Sequence, residues 1–91
     1  MDIDRNTYNT MEEVLDDKAI KRGWIPAIIP TSSYDITEIH NIDTNQIDGN
    51  FFYHEKDEMS FLSHFNEDNL TWNGFIFMID RDNNFVRFKS L

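Results

Sequence analysis

The sequence predicts an α+β fold in which two helices pack on one face of a four-stranded antiparallel sheet, in the order α-β-β-α-β-β. Three observations lead to this prediction: a helix-capping signal near the start, and two separate pairs of strand-like segments, each joined by turn residues. Such a sheet can bury one face under helices and expose the other to water. With 91 residues, we expect one small globular domain spanning residues 1–91, because a second domain would have too little interior.

The first predicted helix begins at Thr10. In Thr10-Met11-Glu12-Glu13 the Thr10 hydroxyl can cap one backbone N–H while the Glu13 carboxylate reaches back to another. The apolar residues that follow recur at helical spacing. Residues 18–22 continue or restart the helix, and Gly23 is placed to end it in the left-handed conformation.

A segment with two prolines follows this helix. In the stretch WIPAIIP, Pro26 and Pro30 each remove a backbone donor and push the preceding residue toward extended geometry. We therefore expect a stiff, extended connector whose apolar side chains are pinned onto the core.

The first predicted strand pair spans Tyr34–Ile42 and Gln46–His54. The intervening Asp43-Thr44-Asn45 has turn chemistry. The second of these strands alternates well, with Ile47, Gly49, Phe51 and Tyr53 on one side.

The second predicted helix runs from about Lys56 to Phe65, after an acidic start that favours a helix N-terminus. The last two predicted strands are Phe75–Ile79 and Phe85–Lys89, joined by the turn at residues 80–84. Because Phe75–Ile79 is apolar on both faces, we interpret it as a central strand.

Composition limits the classes of function. Seventeen Asp and Glu stand against eight Lys and Arg, giving a formal charge of −9, which disfavours nucleic acid and favours a basic or neutral protein partner. Without cysteine, disulfides and thiolate chemistry are excluded. The start has no basic and apolar leader and no apolar run could span a bilayer, so we expect a cytoplasmic protein, or a periplasmic one if a signal or lipobox segment was removed.

Few residues could carry chemistry, and we expect no catalytic residue, metal or cofactor. His40, with Glu38 and Asp43 close in sequence, could form a carboxylate–histidine pair suited to a general base. A surface histidine among polar strand residues is the favoured alternative. Asp80–Asn84 starts like a calcium loop, but Phe85 stands where that loop needs glycine, so a hairpin turn is favoured.

The string AIKRGWIPAIIPTSSYDITEIHNIDTN, preceded by YNTMEEVLDD and followed by GNFFYHEKDE, resembles the YbbD-type head domain family of small bacterial proteins. The matching features are the step Gly23-Trp24-Ile25-Pro26, the second proline, Glu38 with His40, and the Asp43-Thr44-Asn45 turn. The resemblance implies an α+β domain without known catalytic residues. It also suggests an immunity role, since some relatives lie near toxin loci.

These observations favour a non-enzymatic protein-binding module, in particular an immunity-type inhibitor of a basic toxin or nuclease that acts through an acidic surface. The candidate partner-binding residues belong to the polar strand and turn: Glu38, His40, Asn41, Asp43 and Asn45. The alternative is an envelope-associated or structural accessory domain with no inhibitory role. The sequence leaves the oligomeric state open.

Overall fold

The computed structural model describes residues 2–91, which form a six-stranded antiparallel sheet with two short helices. The strands are β1 (Ile3–Thr10), β2 (Tyr34–Asn41), β3 (Ile47–Phe52), β4 (Thr71–Trp72), β5 (Phe75–Asp80) and β6 (Phe85–Ser90). The helices are α1 (Met11–Asp16) and α2 (Glu58–Leu62), the latter preceded by a 3-10 turn at Glu55–Asp57. In space the strands follow the order β1-β2-β3-β6-β5-β4.

The predicted fold class, two helices packed on a four-stranded sheet, is therefore wrong. Residues before Thr10 show no apolar alternation, yet residues 3–10 form a full strand beside β2. A second additional strand, β4, contains only two residues. The two predicted strand pairs are confirmed, with small differences at their ends.

Helix α1 starts as predicted but ends early. The Thr10 side chain accepts a hydrogen bond from the Glu13 amide at 3.4 Å, and the Glu13 carboxylate accepts one from the Asn9 amide at 3.1 Å. The helix ends at Asp16, and Lys18 has a φ of 58°. A left-handed residue there stops the α-helical hydrogen-bond ladder. Residues 17–23 form turns, so the prediction that the helix continues or restarts up to Gly23 is wrong.

Residues 17–33, which we call the cover segment, replace the long first helix over the sheet. The segment is a series of turns. Ile25 and Ile29 are almost completely enclosed, and Pro26 and Pro30 are buried with them. The prediction that the proline-containing segment is pinned onto the core is confirmed. The predicted extended geometry is wrong, because the Ile29 amide donates to the Pro26 carbonyl and the Ser33 amide to the Pro30 carbonyl, which closes a turn after each proline.

The second helix is also shorter than predicted. It spans Glu58–Leu62, whereas the prediction ran from about Lys56 to Phe65. Its inward residue Phe61 packs edge-to-face against Phe51 and Phe65. Glu58 ties the helix to its surroundings by accepting hydrogen bonds from the Tyr53 hydroxyl at 2.8 Å and from Arg81 at 3.2 Å. Within residues 2–91, neither helix has the length and apolar content needed to cross a membrane.

The sheet has one face under the cover segment and α2, the covered face, and one open face. Phe51, Phe77 and Phe88 form the aromatic centre of the covered face. On the open face, Ile76 and Met78 of β5 are 36% and 55% exposed. β5 does have a strand on each side, β6 along its length and β4 at two positions, but its apolar second face is not buried, as the exposure of Met78 shows.

Gly49 provides a test of packing on the covered face. A Cβ at this position would overlap the Phe88 ring and lie 2.6 Å from the Thr37 carbonyl oxygen. We expect Gly49→Ala to lower the free energy of unfolding by roughly 1–3 kcal/mol, the usual cost of overpacking, measured by urea denaturation. The matched control is Asn50→Ala on the same strand. Equal stability of the two variants would contradict this packing.

Glu58 gives a pH-dependent test. The hydrogen bond from Tyr53, and next the one from Arg81, lower the pKa of Glu58 below its ordinary value of 4.5. A carboxylate whose pKa is lowered by folding stabilises the protein above the unfolded value, and that contribution is lost as the pH falls through the folded value. We expect the stability advantage over Glu58→Gln to be constant near neutral pH and to shrink below about pH 4.5. A constant difference down to pH 2 would contradict it.

Candidate functional site

The most unusual group of side chains lies on the covered face between β1 and β2. The antiparallel register places Asp4 opposite His40 and Asn6 opposite Glu38. Because side chains two residues apart share a face, all four point toward the cover segment. The strands thus collect two carboxylates, an amide and an imidazole in one place.

Glu38 is fully enclosed, with 0% of its surface exposed. Its Oε1 accepts a hydrogen bond from the Asn6 side-chain amide at 2.7 Å, and the His40 Nδ1 lies 2.9 Å from Oε1 and 3.1 Å from Oε2. A carboxylate only accepts, so Nδ1 donates. Enclosing a carboxylate is costly unless donors surround it, and these two side chains supply the donors.

His40 is held on three sides. Besides its contact with Glu38, its Nε2 lies 3.4 Å from the Asp4 carboxylate. The Trp24 ring stacks on the imidazole with centroids 4.4 Å apart and planes 19° from parallel. The Arg22 guanidinium lies over the Trp24 ring, 4.9 Å from its centroid, at a distance typical of a cation–π contact.

A second set of contacts fixes the start of the cover segment to β1. The Tyr8 hydroxyl donates to the Asp17 carboxylate at 2.6 Å, and Arg22 lies 3.8 Å from the same carboxylate. Burial, followed by this hydrogen bond, raises the pKa of the Tyr8 hydroxyl. Arg22 therefore links this contact to the stack formed by Trp24 and His40. We call the whole set around Glu38 the clamp; its members are Asp4, Asn6, Tyr8, Asp17, Arg22, Trp24, Glu38 and His40.

The clamp contains a histidine and carboxylates, as proton-transfer sites do, but His40 is enclosed by other side chains of the protein. A carboxylate that orients a histidine is common in general acid–base catalysis. Here both ring nitrogens face carboxylates and Trp24 covers one face of the ring. The same groups therefore join β1, β2 and the cover segment. In the part of the chain described, no cluster of three or more His, Asp and Glu side chains is placed to hold a metal ion.

The favoured interpretation of His40 as a surface histidine is wrong, since the residue is only 8% exposed. The carboxylate–histidine pair does form, with Glu38 as expected, and its second carboxylate is Asp4 instead of Asp43. Asp4, Asn6, Trp24 and Arg22 were missed. The polar residues Asp4 and Asn6, two positions apart, were the available signal for a polar cluster. Because β1 was not predicted as a strand, nothing placed these residues opposite His40 and Glu38.

Of the remaining candidate residues, Asn41 ends β2, and Asp43 and Asn45 lie in the turn between β2 and β3. The Asn41 side-chain oxygen accepts hydrogen bonds from the amides of Asp43 and Thr44, at 2.9 and 3.3 Å, which fixes the turn. Asn45 adopts a left-handed φ of 61°. Asp43 and Asn45 are exposed. That the candidate residues contact a partner stays a prediction. Asp43 and Asn45 have exposed surface for such a contact, and Glu38 has none.

Exposed carboxylates and an apolar side chain meet at this end of the sheet. The Ile42 amide donates to the Asp2 carbonyl at 2.9 Å, so the start of β1 lies beside the turn. Ile42 is 50% exposed, and the Asp4 side chain is 58% exposed. We call this set the turn-end surface; its members are Asp2, Asp4, Ile42, Asp43 and Asn45.

The comparisons with known proteins give the family. The sequence profile of the YbbD head domain matches residues 2–52, which is more than half of the 91 residues. The chain therefore belongs to the YbbD head domain family. The matched part contains β1, α1, the cover segment, β2 and β3, and so the whole clamp and the turn-end surface. The searches of curated proteins and of solved structures gave no match.

The clamp predicts a large effect of removing its buried carboxylate. Glu38→Ala leaves the donors of Asn6 and His40 without an acceptor inside the protein. We expect the free energy of unfolding to fall by roughly 2–4 kcal/mol, measured by chemical denaturation. Glu67→Ala, in an exposed loop, is the control and should change it by less than about 0.5 kcal/mol. A Glu38→Ala effect as small as the control's would show that the clamp contributes little.

Proposed function

We propose that this domain is a non-enzymatic protein-binding module that holds a basic partner at the turn-end surface, in the manner of an immunity-type inhibitor of a toxin or nuclease. The observation that carries the proposal is the half-exposed Ile42 set among the exposed carboxylates of Asp2, Asp4 and Asp43. An apolar side chain beside charges of one sign supplies both a contact and a steering field.

The rigid support beneath this surface also favours binding. Asp4 lies against His40, which Glu38 and Trp24 hold in place. The turn itself is fixed by the Asn41 side chain and by the Asn45 amide, which donates to the Asn41 carbonyl at 2.8 Å. Surfaces that are already ordered lose less conformational entropy on binding. Glu38 and His40 thus act as positioning residues, and Asp2, Ile42, Asp43 and Asn45 make the contacts.

The overall charge supports a basic partner. A formal charge of −9 attracts a cationic protein over long range, and such attraction raises association rates and weakens with salt. A toxin or nuclease that binds phosphates has a basic groove, which carboxylates can occupy without any cofactor.

The test is an affinity pull-down from native cell lysate at low and high salt, followed by mass spectrometry. We expect wild-type protein to retain one basic protein that high salt releases. The double variant Asp2→Asn/Asp43→Asn should reduce affinity for that protein by about tenfold or more, measured by calorimetry with the purified pair.

The matched control is Glu67→Gln/Asp68→Asn, which removes the same charge from an exposed loop and should bind like wild type. Equal weakening by both double variants would show that only net charge matters and would reject the turn-end surface. Retention of no protein at either salt would contradict the proposal and favour a structural accessory domain.

A further inference from the structure

The two edges of the sheet differ strongly. One edge is β4, with two residues, and the other is β1, with eight. Within residues 2–91, no strand pairs with the outer side of β1. An open edge presents backbone donors and acceptors to which another chain can add a strand.

The hydrogen-bond pattern shows which residues of β1 offer these groups. The Ile42 amide donates to the Asp2 carbonyl, whereas the Asn41 amide donates to the Gln46 carbonyl on the β3 side. In antiparallel sheets, residues alternate between bonding to one neighbour and to the other. The even-numbered residues of β1 therefore bond to β2, and the backbone groups of Ile3, Arg5 and Thr7 point outward.

The outward stretch has a defined end. The next odd-numbered residue is Asn9, and its amide already donates to the Glu13 carboxylate at 3.1 Å. Ile3, Arg5 and Thr7 are themselves exposed. The free edge thus offers three amides and three carbonyl groups in sequence.

A second copy of the chain is a poor occupant of this edge. A two-fold pairing centred on Arg5 places this residue opposite itself, and one centred on Asp4 places two carboxylates opposite each other. Like charges in directly opposite positions destabilise a strand pair. Centring on Asn6 brings Ile3 opposite Asn9, whose amide is already bonded. The edge fits a different chain better.

We propose that the outer edge of β1 takes up an extended segment of a basic protein as a seventh strand, with Lys or Arg alternating with apolar residues. Asp4 and Asp2 lie on the covered-face side of the edge and are exposed, so they would face the Lys or Arg side chains of the added strand. Ile3 lies on the other side, 55% exposed, and faces an apolar one. This inference rests on the proposed function, because the basic partner supplies the strand.

A peptide of seven alternating Lys and Val residues, Lys at both ends, is the probe. We expect it to bind wild-type protein and to slow hydrogen exchange of the Ile3, Arg5 and Thr7 amides by about tenfold or more, with little change at Asp4 and Asn6, as followed by NMR. The same peptide with Glu for Lys should bind more weakly. Absence of binding at millimolar peptide, or protection elsewhere alone, would overturn the proposal.

Thr7→Pro tests the edge directly. It removes an outward amide that β2 does not use, and proline is tolerated at such edge positions. We expect it to weaken peptide binding by about tenfold, while Thr7→Ala binds like wild type. Equal binding by both variants would overturn the proposal; if Thr7→Pro fails to fold, the exchange experiment on wild type decides.

The same variants separate this inference from the proposed function. If Thr7→Pro keeps the cellular partner while Asp2→Asn/Asp43→Asn loses it, the partner binds at the turn-end surface without adding a strand, and the inference alone fails. If peptide protects the edge but no cellular protein is retained, the proposed function alone fails.

Discussion

The carboxylate of Glu38, enclosed on the covered face of the sheet, is the constraint on which the rest of the structure depends. A carboxylate removed from water needs donors on all sides. Asn6 supplies one from β1 and His40 supplies another from β2, and Trp24 of the cover segment holds the imidazole in place. These three pieces of chain must therefore assemble in a single register, since any slip leaves the carboxylate unpaired.

Pairing between β3 and β6 joins the two parts of the chain in one sheet. The family match ends at residue 52, at the end of β3, and β3 pairs along its length with β6 from the remainder of the chain. The later residues complete the core with Phe61, Phe77 and Phe88. The turn-end surface and the outer edge of β1, however, belong to the matched part. The portion that defines the family is thus also the portion that presents the proposed binding surfaces.

Sequence reasoning located the hairpins, the start of α1, the pinned prolines and the turn residues Asp43 and Asn45, because each has a local signal. It missed β1, since the positions of this strand that face the cover segment include the polar Asp4 and Asn6, and their suitability depends on residues more than 30 positions away. It overextended α1 because Lys18 has left-handed backbone, and lysine, unlike glycine, does not signal that conformation. The burial of Glu38 could not be predicted, because its donor Asn6 lies on β1, which was missed.

A double-mutant cycle between Glu38 and His40 tests the central claim most directly. The free energies of unfolding of wild type, Glu38→Ala, His40→Ala and the double variant give the energy that couples the two side chains. If the enclosed carboxylate and the imidazole stabilise one another as the clamp requires, the two losses will be strongly non-additive, with a coupling of about 1–3 kcal/mol. Additive losses would show that the two residues contribute independently and that the clamp does not hold the fold together.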